Sequence, residues 1–239
     1  MISISRLTAR IFRLPSFIHK IIGLVFPEYC LGCGKHGTYL CPPCLGRLNQ
    51  AEPIGNLNAL ACFDYHDGCV KKAIWRLKYK GVTSLAPLLA QLIYDKLIDE
   101  LADETAISPG LGEDWLVIPI PLSNKRRQAR GYNQSALIAK HLIKLAPKHL
   151  RPANNILIKI KDTPAQVSIA NRRERLTNLK GAFALAKPKH NRPSGSIMRG
   201  RRIILVDDVI TTGGTMREAM HVLNAAGAKI VLGVAVAHG

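Results

Sequence analysis

Two hydrophobic rhythms organise this chain. Residues 84–101 carry Leu85, Leu88, Leu89, Leu92, Ile93, Leu97 and Leu101 at three- and four-residue spacing. That spacing predicts an amphipathic helix, with Ser84 as its cap. Beyond residue 114, short apolar runs alternate with helical patterns. Strands are predicted at 115–120, 155–160, 182–186, 202–209 and 229–237, and helices at 133–145, 168–178 and 215–226. Such alternation predicts an α/β fold: a parallel sheet with helices on both faces. Upstream, 61–65 suits a short strand, and 70–79 is a basic segment holding Ile74, Trp75 and Leu77. Residues 51–60, with Pro53 and Gly55, suit a linker, while 103–114 and 187–200 suit an acidic and a Pro/Gly/Lys loop.

The first 27 residues follow neither rhythm cleanly. Ile11, Leu14, Ile18, Ile21, Ile22 and Val25 recur as on one helix face, interrupted by Pro15. Arg6, Arg10, Arg13 and Lys20 are interleaved with them, which is not the order of a secretory signal. This segment is expected to be a basic leader helix packed on its own protein or lying on a membrane surface. No stretch reaches the roughly 20 apolar residues that a transmembrane helix needs.

Charge sharpens the picture. The 239 residues include 34 Lys and Arg against 16 Asp and Glu, a net charge of +18. Residues 121–202 hold 20 of the basic residues and only Asp162 and Glu174 as acids, so the whole surplus lies there. A neutral body with one basic region predicts an anionic partner: a phosphorylated small molecule, nucleic acid or an anionic surface.

Four of six cysteines form two Cys-x-x-Cys hooks, Cys30/Cys33 and Cys41/Cys44. Two such hooks supply four thiolates to a tetrahedral zinc, with no open coordination position, so the ion would be structural. A rubredoxin-like iron site has the same ligands. Two disulfides are the competing arrangement, but it leaves Cys62 and Cys69 over, and these suit ordinary buried positions. Two motif matches fail in context. Gly32–Gly37 fits G-x-G-x-x-G but sits within the cysteine cluster, and Gly195–Gly200 has P-loop spacing with Arg201-Arg202 where Lys-Ser/Thr is needed.

The most specific segment is Ile203-Ile204-Leu205-Val206-Asp207-Asp208-Val209-Ile210-Thr211-Thr212-Gly213-Gly214-Thr215. An apolar strand runs into two acids, a Thr/Gly loop and a helix start. Free N–H groups, the hydroxyls of Thr211, Thr212 and Thr215, and the helix dipole suit a phosphate. Gly213 and Gly214 permit close approach. The acids would repel that phosphate, so they belong to neighbouring sugar hydroxyls or a metal. A sugar 5-phosphate meets both demands.

This block resembles the phosphoribosyl pyrophosphate (PRPP) motif of type I phosphoribosyltransferases. The resemblance gives Asp207 and Asp208 the ribose hydroxyls, the Thr211–Thr215 loop the 5-phosphate, and Mg2+ a place on the ligand's oxygens. Lys125-Arg126-Arg127-Gln128-Ala129-Arg130 follows the first core strand, where Arg126, Arg127 and Arg130 could hold a leaving pyrophosphate. Type I enzymes carry a mobile lid where Arg172, Arg173 and Arg175 fall. Adding the Cys hooks, Arg76-Leu77-Lys78-Tyr79-Lys80-Gly81, Arg130-Gly131-Tyr132-Asn133-Gln134 and Asn178-Leu179-Lys180-Gly181-Ala182-Phe183, the chain resembles the ComF (competence protein F, GntX-like) family over about residues 20–239.

The resemblance implies a small zinc-ribbon-like module at 28–50 after the leader at 1–27, then a type I phosphoribosyltransferase fold over 61–239. It also implies a location in the bacterial cytoplasm or peripheral at the inner membrane, and a supporting role in natural transformation. The implied partners are PRPP with Mg2+, single-stranded DNA, and competence or recombination proteins. Two functions follow: a DNA-uptake accessory whose site senses PRPP, or an active transferase on an unidentified base or amine. Single-strand binders add exposed aromatics. Only Tyr132 lies between 121 and 182, so within that region DNA binding rests on charge.

Overall fold

The computed structural model describes residues 28–104, 114–161, 179–187 and 198–239. The expected leader helix, the helix at 168–178 with its three arginines, and most of the 187–200 loop lie outside them.

β6 (Arg202–Ile210) and β7 (Ile230–His238) form the spine of a five-stranded parallel sheet, with Ile203 beside Val231 and Leu205 beside Gly233. β1 (Ala59–Asp64) flanks β7. On the other side come β2 (Trp115–Pro119) and β3 (Leu150–Pro152), giving the order β1-β7-β6-β2-β3.

The two-residue alternation of the strands sorts their side chains into two cores. Ile204, Val206, Leu232, Val234 and Val236 face one side. They pack against α2 (Gly68–Tyr79), α3 (Leu85–Glu104) and α5 (Gln134–Leu145). Ile203, Leu205, Val231 and Ala235 face the other side, against α6 (Gly214–Ala225). The expected parallel sheet with helices on both faces is what forms.

The four-Cys segment holds a one-turn helix, α1 (Pro42–Leu45). Its Leu31, Leu40 and Leu48 join the same apolar cluster as α2 and α3, and Tyr39 Oη lies 2.6 Å from Ser84 Oγ. The 51–60 segment also packs: Ile54 is buried, and Leu57 reaches the Thr/Gly loop.

Three local expectations change. The basic segment 70–79 is helical, because Asp67 accepts hydrogen bonds from the Cys69 and Val70 N–H groups and starts α2. The basic loop after β2 contains α4 (Asn124–Arg130), capped by Ser123 and closed by Gly131 at φ 78°. The strand expected at 155–160 does not enter the main sheet. Its core, β4 (Leu157–Lys159), pairs antiparallel with β5 (Phe183–Leu185). Leu157 is buried while Ile158 and Ile160 are exposed, so this segment has one wet face, unlike a strand covered on both sides.

Gly233 tests how tightly the spine is packed. A Cβ there would lie 2.8 Å from Met216 Sδ and 2.9 Å from Ala59 Cβ. The methionine can move, but the neighbouring strand cannot. Gly233→Ala should therefore cost about 1–3 kcal/mol in urea unfolding; an unchanged midpoint would show that β1 shifts freely.

Candidate functional site

The carboxyl end of β6, at the centre of the sheet, is where an open parallel sheet places its ligand crevice. There β6 delivers Asp207 and Asp208, then turns through Thr211 and Thr212 into α6. The helix starts at Gly213 in the left-handed conformation (φ 76°), with no side chain capping it. A side chain at Gly213 would be strained and would meet Leu57 Cδ2 at 3.2 Å. The recess is lined by Asp207, Thr211, Gly213, Gly214 and Thr215. Thr212 Oγ1 is buried without a hydrogen-bond partner among the described residues. A buried hydroxyl beside an uncapped helix start fits an anion that would complete both.

The two acids differ in surroundings. Asp208 is buried and pairs with Lys78 of α2, Nζ to Oδ2 3.0 Å. Asp207 Oδ1 accepts from Ser135 Oγ at 2.9 Å and from the Asp208 N–H at 2.8 Å. Burial first, and the neighbouring Asp208 charge second, push the Asp207 carboxyl up to about 7 despite Lys78 and these donors. Burial works to lower the Lys78 ammonium, but the charge and hydrogen bond of Asp208 outweigh it and raise it.

Arg130, at the end of α4, is held from three directions. Its Nη1 donates to Gln134 Oε1 at 3.0 Å and its Nη2 to Tyr79 Oη at 3.3 Å. Its guanidinium carbon also lies 4.9 Å from the centre of the Tyr79 ring. Tyr132 Oη donates to the Leu77 carbonyl. Asn133 caps α5 through Ser135 N and donates from Nδ2 to the Ile120 carbonyl at 2.9 Å. Arg126 and Arg127 sit one turn earlier on α4, with Arg127 exposed. Of the residues singled out in the sequence, Asp207, Thr211, Gly213, Gly214 and Thr215 therefore line one recess, while Asp208 is buried beside it against Lys78. Arg130 joins them through α2. Lys78, Tyr79 and Ser135 were missed as participants. Lys78 and Tyr79 lie in the quoted Arg76–Gly81 block and Ser135 directly follows Gln134, so the signal was present without an assigned role.

The second cluster lies near the N-terminal end of α2. The Sγ atoms of Cys30, Cys33, Cys41 and Cys44 all lie within 4.8 Å of one another. Cys41 Sγ is 3.7 Å from Cys30 Sγ and 3.6 Å from Cys33 Sγ. A tetrahedron with arms of about 2.3 Å has edges of about 3.8 Å, so this cage fits a metal ion. All six cysteines are free thiols, which removes the disulfide arrangement. A Cβ on Gly32 would stand 2.8 Å from Cys44 Sγ and 3.4 Å from Cys69 Sγ, so glycine is needed there. Cys62, outside the cage, is deeply buried, and burial pushes its thiol up to about 12.

Competence protein F of Haemophilus influenzae is 31% identical to this chain over 204 residues, covering 85% of this chain and 81% of that protein. This chain belongs to the competence protein F family. Further relatives are competence protein ComFC of Bacillus subtilis, 28% identical (87% of this chain, 75% of that protein), and DNA utilization protein YhgH of Escherichia coli K12, 29% identical (84% and 80%). The phosphoribosyl transferase domain family matches residues 137–239, which take in most of α5, the acids and the Thr/Gly loop. A solved hypoxanthine phosphoribosyltransferase from Staphylococcus aureus aligns at TM-score 0.35 and 14% identity, covering 61% of this chain and 60% of that one, less than two thirds of its length. As a family member the chain is a competence-related, phosphoribosyltransferase-like protein, with a four-Cys cluster on its N-terminal side.

The raised Asp207 carboxyl sets a pH dependence. A carboxyl with a higher pKa folded than unfolded holds its proton longer in the folded state. Its contribution to stability is fully present below the unfolded value of about 3.9 and is lost as pH rises towards about 7. Asp207→Asn should remove this dependence, so the variant gains stability relative to the wild type between pH 4 and 7. Parallel stability curves for the two proteins over that range would refute the assignment.

Proposed function

We propose that this chain binds PRPP with Mg2+ at the Asp207–Thr215 loop and supports the handling of imported DNA during natural transformation. The observation that carries the first part is the recess at the end of β6: Asp207, an uncapped glycine helix start and, beside them, Asp208 and the unpartnered Thr212 hydroxyl. Thr211–Thr215 take the 5-phosphate and the acids take the ribose hydroxyls. Mg2+, when bound, offsets pyrophosphate charge. The competence and DNA-utilization names of the relatives support the second part. Among the described residues no helix is long and apolar enough to cross a membrane. We assign the protein to the cytoplasm, either free or peripheral at the inner membrane, with competence or recombination proteins as partners. We place the leader at 1–27, the zinc module at 28–50 and the transferase-like domain at 61–239.

Turnover is the second reading, favoured by Arg130. A guanidinium fixed by Gln134 and Tyr79 needs little reorganisation to stabilise a departing pyrophosphate, with Arg126 and Arg127 behind it. An oxocarbenium-like centre at the ribose would then be open to an acceptor nitrogen.

The four cysteines would hold zinc, closed to further ligands and therefore structural. Protein purified without chelator should carry about one equivalent, and chelation should unfold the cluster; a folded, metal-free chain would refute this. In calorimetry with PRPP and Mg2+, Asp207→Asn with Asp208→Asn should weaken binding by roughly 1.5–3 kcal/mol per charged hydrogen bond lost. Equal affinity would move the site elsewhere. Pyrophosphate release with a panel of bases and amines decides between sensing and turnover.

A further inference from the structure

Two large rings stand in water on one face of α2. Trp75 is 46% exposed and Tyr79 60%. They are one helical turn apart, with ring centres separated by 6.4 Å and planes tilted by 49°. The remainder of this face is cationic. Lys71 and Lys72 are exposed one turn before Trp75. Lys80 Nζ lies 5.0 Å from the Trp75 ring, and Arg130 lies over Tyr79. Neither α2 nor α4 contains an acid. The aliphatic residues of α2, Val70, Ala73, Ile74 and Leu77, are buried away from this face.

We propose that this face binds single-stranded nucleic acid, with bases stacked on Trp75 and Tyr79 and phosphates passing Lys71, Lys72, Lys80 and Arg130. The inference rests on the DNA-handling part of the proposed function and supplies its contact surface. Alternating cations and exposed rings is the arrangement that binds a single strand without regard to sequence. Every base has a face to stack, and every linkage carries a charge. A duplex hides its base faces and gains only the charge term. An anionic membrane would also attract these lysines, but it rewards aliphatic side chains that insert, and here the aliphatic residues of α2 point inward.

Lys78 and Tyr79 are consecutive in α2. The first reaches Asp208 beside the recess, and the second belongs to the outer platform. A strand on the platform therefore lies along the same helix that neutralises Asp208.

The test uses the full chain and its own fluorescence. Of the two tryptophans, Trp115 is 3% exposed, so Trp75 reports on the platform. The probes are an oligo(dT), an abasic strand of the same length and phosphatidylglycerol-containing vesicles. Oligo(dT) should quench Trp75 and bind about tenfold or more tightly than the abasic strand. Trp75→Ala should weaken oligo(dT) binding by a similar factor while leaving abasic binding unchanged, and Trp75→Phe should restore most of it. Oligo(dT) binding with unaltered emission, or equal affinity for both strands, overturns the platform and leaves DNA handling standing. Failure to bind either strand overturns both. Quenching by vesicles but not by oligo(dT) reassigns the face to a membrane surface.

Discussion

The ion pair between Lys78 and Asp208 is the contact on which the site depends. β6 runs through the centre of the sheet and ends in two adjacent carboxylates. Two like charges cannot sit side by side at the end of a buried strand without compensation. Lys78 supplies a full positive charge to one of them, and Ser135 with the Asp208 N–H supplies donors to the other. Removing the lysine would leave Asp208 as a buried, uncompensated charge, which is far more costly than the pair is stabilising. The compensation is therefore a condition on where α2 docks.

That condition passes along α2. Three consecutive residues at its C-terminal end tie it to the end of β6 and the segment after β2: the Leu77 carbonyl receives Tyr132 Oη, Lys78 meets Asp208, and Tyr79 carries Arg130. Its N-terminal end starts beside the cysteine cage, where the Cys69 sulfur approaches Gly32. Leu31, Leu40 and Leu48 bury themselves in the cluster that also holds Ile74 and Leu77. The four-Cys module is thus part of the wall against which α2 rests. A metal that fixes the two hooks also fixes the helix that neutralises Asp208.

The sequence made some of this legible and not the rest. The Thr/Gly loop and its acids form one short segment whose composition admits few physical uses, and the structure brings them together. The cysteine spacing likewise dictated its own geometry. Lys78 was not legible, because a lysine between Leu77 and Tyr79 in a basic segment resembles any solvated lysine; its burial depends on a strand 130 residues away. Ser135 is a small polar residue whose role appears only when α5 crosses the end of β6. The strand expected at 155–160 was misplaced because local apolar content does not say which sheet a short segment will join. Its exposed Ile158 and Ile160 belong to a ribbon wet on one side.

Charge and aromaticity were also separated by linear reading. The surplus of basic residues falls in 121–202, where aromatics are scarce, so along the chain the cations have no stacking partners. Folding brings α2, from outside that region, beside the end of α4, and Arg130 then lies on a ring 51 residues earlier in the chain. The same docking that neutralises Asp208 therefore assembles a mixed aromatic and cationic face from two segments, neither of which carries it alone. The buried partner of Asp208 and this exposed face then share one helix. Any ligand that draws Arg130 away from Tyr79 must also uncover the ring.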